Sequence, residues 1–200
     1  MSRTMGVLLL KAPAYKEIAE DPQATTPATI ITFLALLVSG FVDGFVVFDQ
    51  TTGSASSNFI GGIVGAVVGV IFGLIAWLFS AWLTAGIARW FFQGHTDTGE
   101  MLRVSGYTLL FEFFSVFSVA ALVSPALVCI LSPITILVNL FAIWGNVLGI
   151  REAAEFATWK AIVTGLIAGL VRAAIIGIAT AAVVAMIVGT LAAVNAGLGG

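Results

Sequence analysis

Polar and apolar positions alternate along this chain in long blocks, not with the short period of a soluble helix or strand. Five apolar runs, residues 28–48, 59–88, 101–123, 125–149 and 161–196, are separated by short polar stretches. Each is long enough to cross a hydrocarbon layer, which takes about 20 residues of α-helix. The pattern predicts an all-α integral membrane protein, a bundle of five transmembrane helices filling residues 26–200. Residues 1–25 form an N-terminal segment. Within it Tyr15, Ile18 and Ala19 share one helical face and Lys16, Glu17 and Glu20 the other, with Pro13 in the first turn and Pro22 as the stop. That reads as a short amphipathic helix lying at the membrane interface. The spacing of Asp97 and Glu100 predicts a capping box opening the third span. Ser124 and Pro125 open the fourth, and Pro133 inside it is expected to kink the helix.

Charge orients the bundle. Of the eight Lys and Arg residues, Arg3, Lys11 and Lys16 precede the first run. Arg89 follows the second run and Arg103 sits at the start of the third, and Arg151 and Lys160 lie between the fourth and fifth. The alternate connections, at residues 49–58 and 122–124, carry none. Because cytoplasmic loops retain Lys and Arg, the chain is expected to have its N-terminus in and its C-terminus out.

Composition narrows the function classes. Hydrophobic residues make up 60% of the 200 positions and charged residues 9%, against about 25% charged in soluble domains. A net charge of −2 with no basic patch points away from nucleic acid. The run Met5 to Leu10 is shorter than the roughly 7–15 residues of a signal-peptide core, so no cleaved signal is expected. Cys129 is the single cysteine, which rules out an intrachain disulfide.

Small residues recur every four positions in two runs. Gly61, Gly65, Gly69 and Gly73 form one ladder; Gly165, Gly169, Gly177 and Gly189, with alanines between, form the other. A step of four puts them on one helical face, where backbones can approach closely. These are the candidate helix-packing faces.

Few polar groups fall inside the runs. At 1.5 Å rise per residue Glu112 lies about 12 Å from the inner interface, Asn139 about 14 Å and Arg172 about 16 Å. Three spans thus present polar groups at one level, and a charge at mid-span needs a partner or a wet cavity. Two readings stand: a buried clasp in which Arg172 pairs with Glu112 directly or through Asn139, and a substrate or proton site near the midplane. A third places Arg172 at the interface. Asp43 is expected to reach water near the outer end of the first span, and Asn146 to make local hydrogen bonds near the inner surface. His95 is the lone histidine, in a loop without convergent ligands, and Cys129 has no histidine near it in sequence. No catalytic, cofactor-binding or metal site is therefore expected.

Three stretches carry a resemblance. Residues 9–22, Leu-Leu-Lys-Ala-Pro-Ala-Tyr-Lys-Glu-Ile-Ala-Glu-Asp-Pro, form an entry segment. Residues 94–107, Gly-His-Thr-Asp-Thr-Gly-Glu-Met-Leu-Arg-Val-Ser-Gly-Tyr, form a glycine-bearing loop leading into a Gly-Tyr helix. Ile143-Trp144, Gly149-Ile150-Arg151-Glu152 and Lys160-Ala161 mark the exit from the fourth span. In this order they resemble the Yip-domain family, the Rab-GTPase-interacting membrane proteins and their prokaryotic relatives. The resemblance implies a five-span, N-in bundle and a non-enzymatic role, in membrane traffic for the eukaryotic members. Relatives often have a proline about four residues after the third-span tyrosine, where this chain has Phe111 followed by Glu112. The long soluble N-terminal region of the eukaryotic trafficking members is absent from this sequence, which points to a prokaryotic plasma-membrane protein.

The leading functional expectation is a non-catalytic protein that organises or assembles with other membrane components, as a homo-oligomer or in a larger complex, with the lipid bilayer as its surroundings. The alternatives are a small transporter or channel component using the Glu112, Asn139 and Arg172 level, and an accessory subunit of a larger membrane complex.

Overall fold

The computed structural model describes residues 3–49, 51, 54–171 and 174. Two short helices come first, α1 (Arg3–Leu8) and α2 (Ala12–Glu20). A 3₁₀ turn, Pro22–Ala24, leads into α3 (Thr25–Phe45), and a two-stranded hairpin pairs β1 (Val46–Phe48) with β2 (Ala55–Ser57). The 34-residue α4 (Phe59–Phe92) returns. Then come α5 (Thr98–Thr108), a 3₁₀ helix (Leu109–Leu122), α6 (Pro125–Ala154) and the apolar helix α7 (Thr158–Val171).

Among the described residues four helices are long and apolar enough to cross a membrane: Pro22–Phe45, Phe59–Phe92, Thr98–Leu122 and Ala126–Ala154. Of the expected fifth span the described residues cover the start, as α7, a helix shorter than the four. The rest of it, with Arg172, Gly177 and Gly189, lies outside the described residues. Two expected boundaries shift. The first span starts at Thr25 instead of residue 28 and gives its last three residues to β1, because Val46 and Val47 are β-branched and pair across the loop with Ser57 and Ser56.

The third span departs further from a uniform α-helix. After Thr108 it continues as a 14-residue 3₁₀ helix, although such runs rarely exceed three or four residues. The sequence there repeats every third residue: Phe111, Phe114 and Phe117 in one row, Glu112, Ser115 and Ser118 in the next. Residues i and i+3 eclipse in a 3₁₀ helix, so each row stays in line instead of drifting around the axis.

Helix ends follow from local chemistry. Asp97 and Glu100 form the capping box at α5, with bonds of 2.7 and 3.1 Å. Ser124 Oγ accepts from Ala126 N, and Pro125 follows it. Pro133 removes the N–H that would reach the Cys129 carbonyl. The Ser132 hydroxyl, 3.1 Å away, donates to that carbonyl instead, which is how helices in lipid accommodate proline.

α3 and α4 pack through glycine. A Cβ built on Gly40 would stand 2.5 Å from the Gly65 carbonyl oxygen, and one on Gly61 2.5 Å from that of Gly44. Gly69 faces the Gly40 Cα at 3.1 Å, and Gly73 faces Leu36. The face of α4 away from these contacts is apolar and exposed, with Ile60, Phe72 and Trp82 open, while Ala81, Ala85 and Ala88 near its end are buried; the open face is the surface a helix presents to lipid.

The main core lies at one end of the bundle, where α1, α2, the starts of α5 and α7 and the ends of α4 and α6 meet. We call this the basic end, since it carries Arg3, Lys11, Lys16, Arg89, Arg103, Arg151 and Lys160. The opposite, hairpin end has a smaller cluster around Val42, Val46 and Ala121.

Candidate functional site

The apolar face of α2 lies on protein, where the sequence reading put it on lipid. Tyr15 and Ile18 are fully buried. The reason is the surface offered by α6: Gly145 and Gly149 leave a flat strip, and a Cβ on Gly145 would come within 2.7 Å of the Tyr15 hydroxyl. The same strip takes Val104 of α5, which presses on Gly149. The Tyr15 hydroxyl donates to the Val7 carbonyl at 3.3 Å, tying α2 to α1. Burial pushes the Tyr15 phenol well above its ordinary value.

Polar contacts close the assembly from outside. Arg103 is buried and donates through Nε (3.1 Å) and Nη2 (2.5 Å) to the Ala19 carbonyl. That carbonyl is an unpaired acceptor in the last turn of α2, where a cation also meets the negative end of the helix dipole. Arg3 reaches Glu17 at 2.8 Å and Asp21 at 2.6 Å, and it hydrogen-bonds Tyr107. The Gln23 N–H and the Arg3 guanidinium hold the Asp21 carboxyl below its ordinary range. Lys16 meets Glu155 at 4.0 Å, bridging α2 to the turn after α6.

The glycine-bearing loop fits the same knot. Gly94 lies against Phe156 and Ala154, and Gly106 lets α5 close on Ala28 and Thr32 of α3. Phe92 stacks edge-on against Phe156 and Trp159, and Lys160 lies 5.6 Å above the Phe156 ring. The entry segment, the loop and the fourth-span exit, dispersed along the chain, thus form three walls of one core.

The Yip1 domain model matches residues 5–180. The chain belongs to the Yip1 family. Neither a curated protein nor a solved structure matches it.

In this Yip1-family protein the sequence-predicted residues separate into groups. Gly61, Gly65, Gly69 and Gly73 sit against α3 as described. Among the described residues Gly165 has one neighbour, Ile150 Cδ1, at 3.4 Å from its Cβ position, and Gly169 meets no atom within 4 Å. Glu112 and Asn139 occupy exposed positions, on the 3₁₀ helix and on α6. Arg172 lies outside the described residues. His95 is exposed, and no group of three potential metal ligands occurs among the described residues.

The sequence reading missed the partners. Gly40 and Gly44, like Gly145 and Gly149, each form a single four-residue step that does not stand out beside longer ladders. Arg103, which in the sequence is only one of the inner-side cations, caps the end of α2. A groove of about 240 Å³ between α4, α6 and α7, with Ser80, Thr84 and Asn146 in its apolar wall, went unforeseen.

Proposed function

We propose that this Yip1-family protein is a non-catalytic organiser of other membrane components, and that the basic end is where it assembles with them. The observation that carries this is the convergence of the three motif segments on one core. Family-like residues that could have been scattered instead build a single ordered platform. At this end Trp90, Phe91 and Trp159 are 81%, 69% and 58% exposed, and Lys16 pairs with Glu20 and Glu155 at the surface. Exposed aromatics of this kind dominate protein contacts. The test is native mass spectrometry of protein purified in mild detergent. A stoichiometric assembly, homo-oligomeric or with one recurrent partner, is expected. Trp90→Ala with Trp159→Ala should dissolve it while α-helix content stays constant. A parent protein that is monomeric and alone at every detergent concentration would rule the reading out.

In this reading the protein spans a prokaryotic plasma membrane five times with the basic end in the cytoplasm. All seven basic residues of the connections gather there, as the positive-inside rule requires. In a Cys129→Ala background, cysteine at position 95 should be protected from impermeant maleimide in intact cells, and cysteine at position 54 should be labelled. Labelling at 95 from outside would invert the topology.

One observation favours transport as a second reading. Ser132, Thr135, Asn139 and Asn146 recur at helical spacing on one face of α6. The first two line a cavity of about 220 Å³ with Ser118 at the hairpin end, and the last lines the groove at the basic end. Proton flux into liposomes holding the purified protein alone would favour this reading over assembly.

A further inference from the structure

The groove between α4, α6 and α7 is built differently from the rest of the lipid-facing surface. Ile143, Ile162 and Leu166 form its sides, and Gly165 and Gly169 leave part of its wall without side chains. Three polar side chains, Ser80, Thr84 and Asn146, also face into it. Thr84 satisfies itself by donating to the Ser80 carbonyl at 2.7 Å. The Ser80 hydroxyl and the Asn146 amide make no hydrogen bond to any described residue. A helical serine ordinarily bonds back to its own preceding turn. Donors left open at a hydrocarbon boundary are costly unless an acceptor arrives from outside.

Depth identifies the acceptor. Asn146 is eight residues from the end of α6 at Ala154, while Thr84 is eight and Ser80 twelve from the end of α4 at Phe92. Asn146 and Thr84 therefore lie about 12 Å from the basic end, and Ser80 about one turn deeper, at about 18 Å. The exposed Trp82 and Trp144 stand one half-turn deeper on the same two helices, as an interfacial aromatic belt does. A bilayer of about 40–45 Å with a core of about 30 Å puts its headgroup zone over the outer several ångströms, so the seam lies just beneath it. The groups at that depth are the ester carbonyls of glycerolipids, acceptors with no hydrogen to donate. They match the Asn146 amide at that depth and the Ser80 hydroxyl a turn below it, donors without a partner among the described residues. The groove volume is below the roughly 300–1,000 Å³ of an enclosing ligand cavity, which suits an occupant that inserts one chain and leaves the rest in the bilayer.

We propose that this groove is a lateral binding site for one diacyl glycerophospholipid, with an ester carbonyl accepting from the Asn146 amide and the Ser80 hydroxyl and the attached acyl chain lying along Gly165, Leu166 and Gly169. It does not depend on the assembly reading.

The test uses the full-length protein, delipidated in mild detergent and titrated under native mass spectrometry. The probes are dioleoyl phosphatidylglycerol and its dialkyl ether counterpart, which keeps the headgroup and chains and lacks both carbonyls. One lipid per protein should be retained, with the ester form favoured about 3- to 10-fold, the value of one or two net hydrogen bonds. Asn146→Leu should erase that preference. Gly169→Leu, which fills the groove, should weaken both lipids. Both variants should melt like the parent, since Asn146 is exposed and a Cβ on Gly169 meets no described atom within 4 Å. Equal binding of ester and ether lipids by the parent would overturn the proposal. So would an ester preference that survives Asn146→Leu, or a second copy of the chain displaced by Gly169→Leu.

Discussion

Leucine in place of Gly65 is expected to destabilise the protein in detergent by about 3 kcal/mol, the upper part of the range for overpacking a rigid contact. For a chain of this size that corresponds to roughly 6–12 °C in melting temperature. The cause is specific. A Cβ at position 65 would stand 3.2 Å from the Gly44 Cα and closer still to the Gly40 carbonyl oxygen, both backbone atoms that cannot rotate away. The first two spans would have to separate, losing contacts that no water-driven term replaces in lipid. Gly169→Leu is the control. Its Cβ meets no described atom within 4 Å, and its effect should stay within about 0.5 kcal/mol. Thermal melts of the two variants and the parent check this. Equal melting temperatures would mean that the α3–α4 glycine contact carries no stability.

Removing the guanidinium of Arg103 should release the N-terminal helices. Arg103→Met keeps the buried stem and deletes both hydrogen bonds to the Ala19 carbonyl. The acceptor is left buried and unsatisfied, at a cost of about 1–3 kcal/mol. The loss is local: hydrogen-exchange protection should fall across α1 and α2 while α4 stays protected. Arg103→Lys should recover only part, because an ammonium cannot hold two aligned bonds to one oxygen. Unchanged protection in α2 of the Arg103→Met protein would show that Tyr15 and Ile18 alone hold the segment down.

These two contacts also mark what was legible in the sequence. The spanning helices were, because a long apolar block has no other stable form in this composition. So were the caps at Asp97 and Ser124, which are local in sequence. The face of α2 was readable as apolar, but its neighbour was not. A helix of that pattern can lie on lipid or on protein, and only the strip at Gly145 and Gly149 decides between them. Arg103 stayed hidden for a related reason: Ala19 lies 84 positions away, and nothing in either segment specifies the other. The row of Phe111, Phe114 and Phe117 was visible as residues, yet in an α-helix the same spacing also approximates one face. Its period of three gains meaning only once the 3₁₀ geometry is known. The fifth run was read from composition, and its second half, with Arg172, lies outside the described residues.

The long 3₁₀ segment has a consequence for span length. Each residue rises about 2.0 Å there against 1.5 Å in an α-helix, so 14 residues cover about 28 Å instead of about 21 Å. With the 11 residues of α5, the third span reaches about 44 Å and matches the 30-residue α6 beside it, about 45 Å long. Rewound as α-helix it would fall about 7 Å short, and its far end would turn by most of a revolution. It is the one span among the four whose length and rotation are both set by helix type. Bilayer thickness acts on length at fractions of a kcal/mol per ångström of mismatch, so any rewinding of this segment would change its reach and the facing of Glu112, Ser115 and Ser118 together.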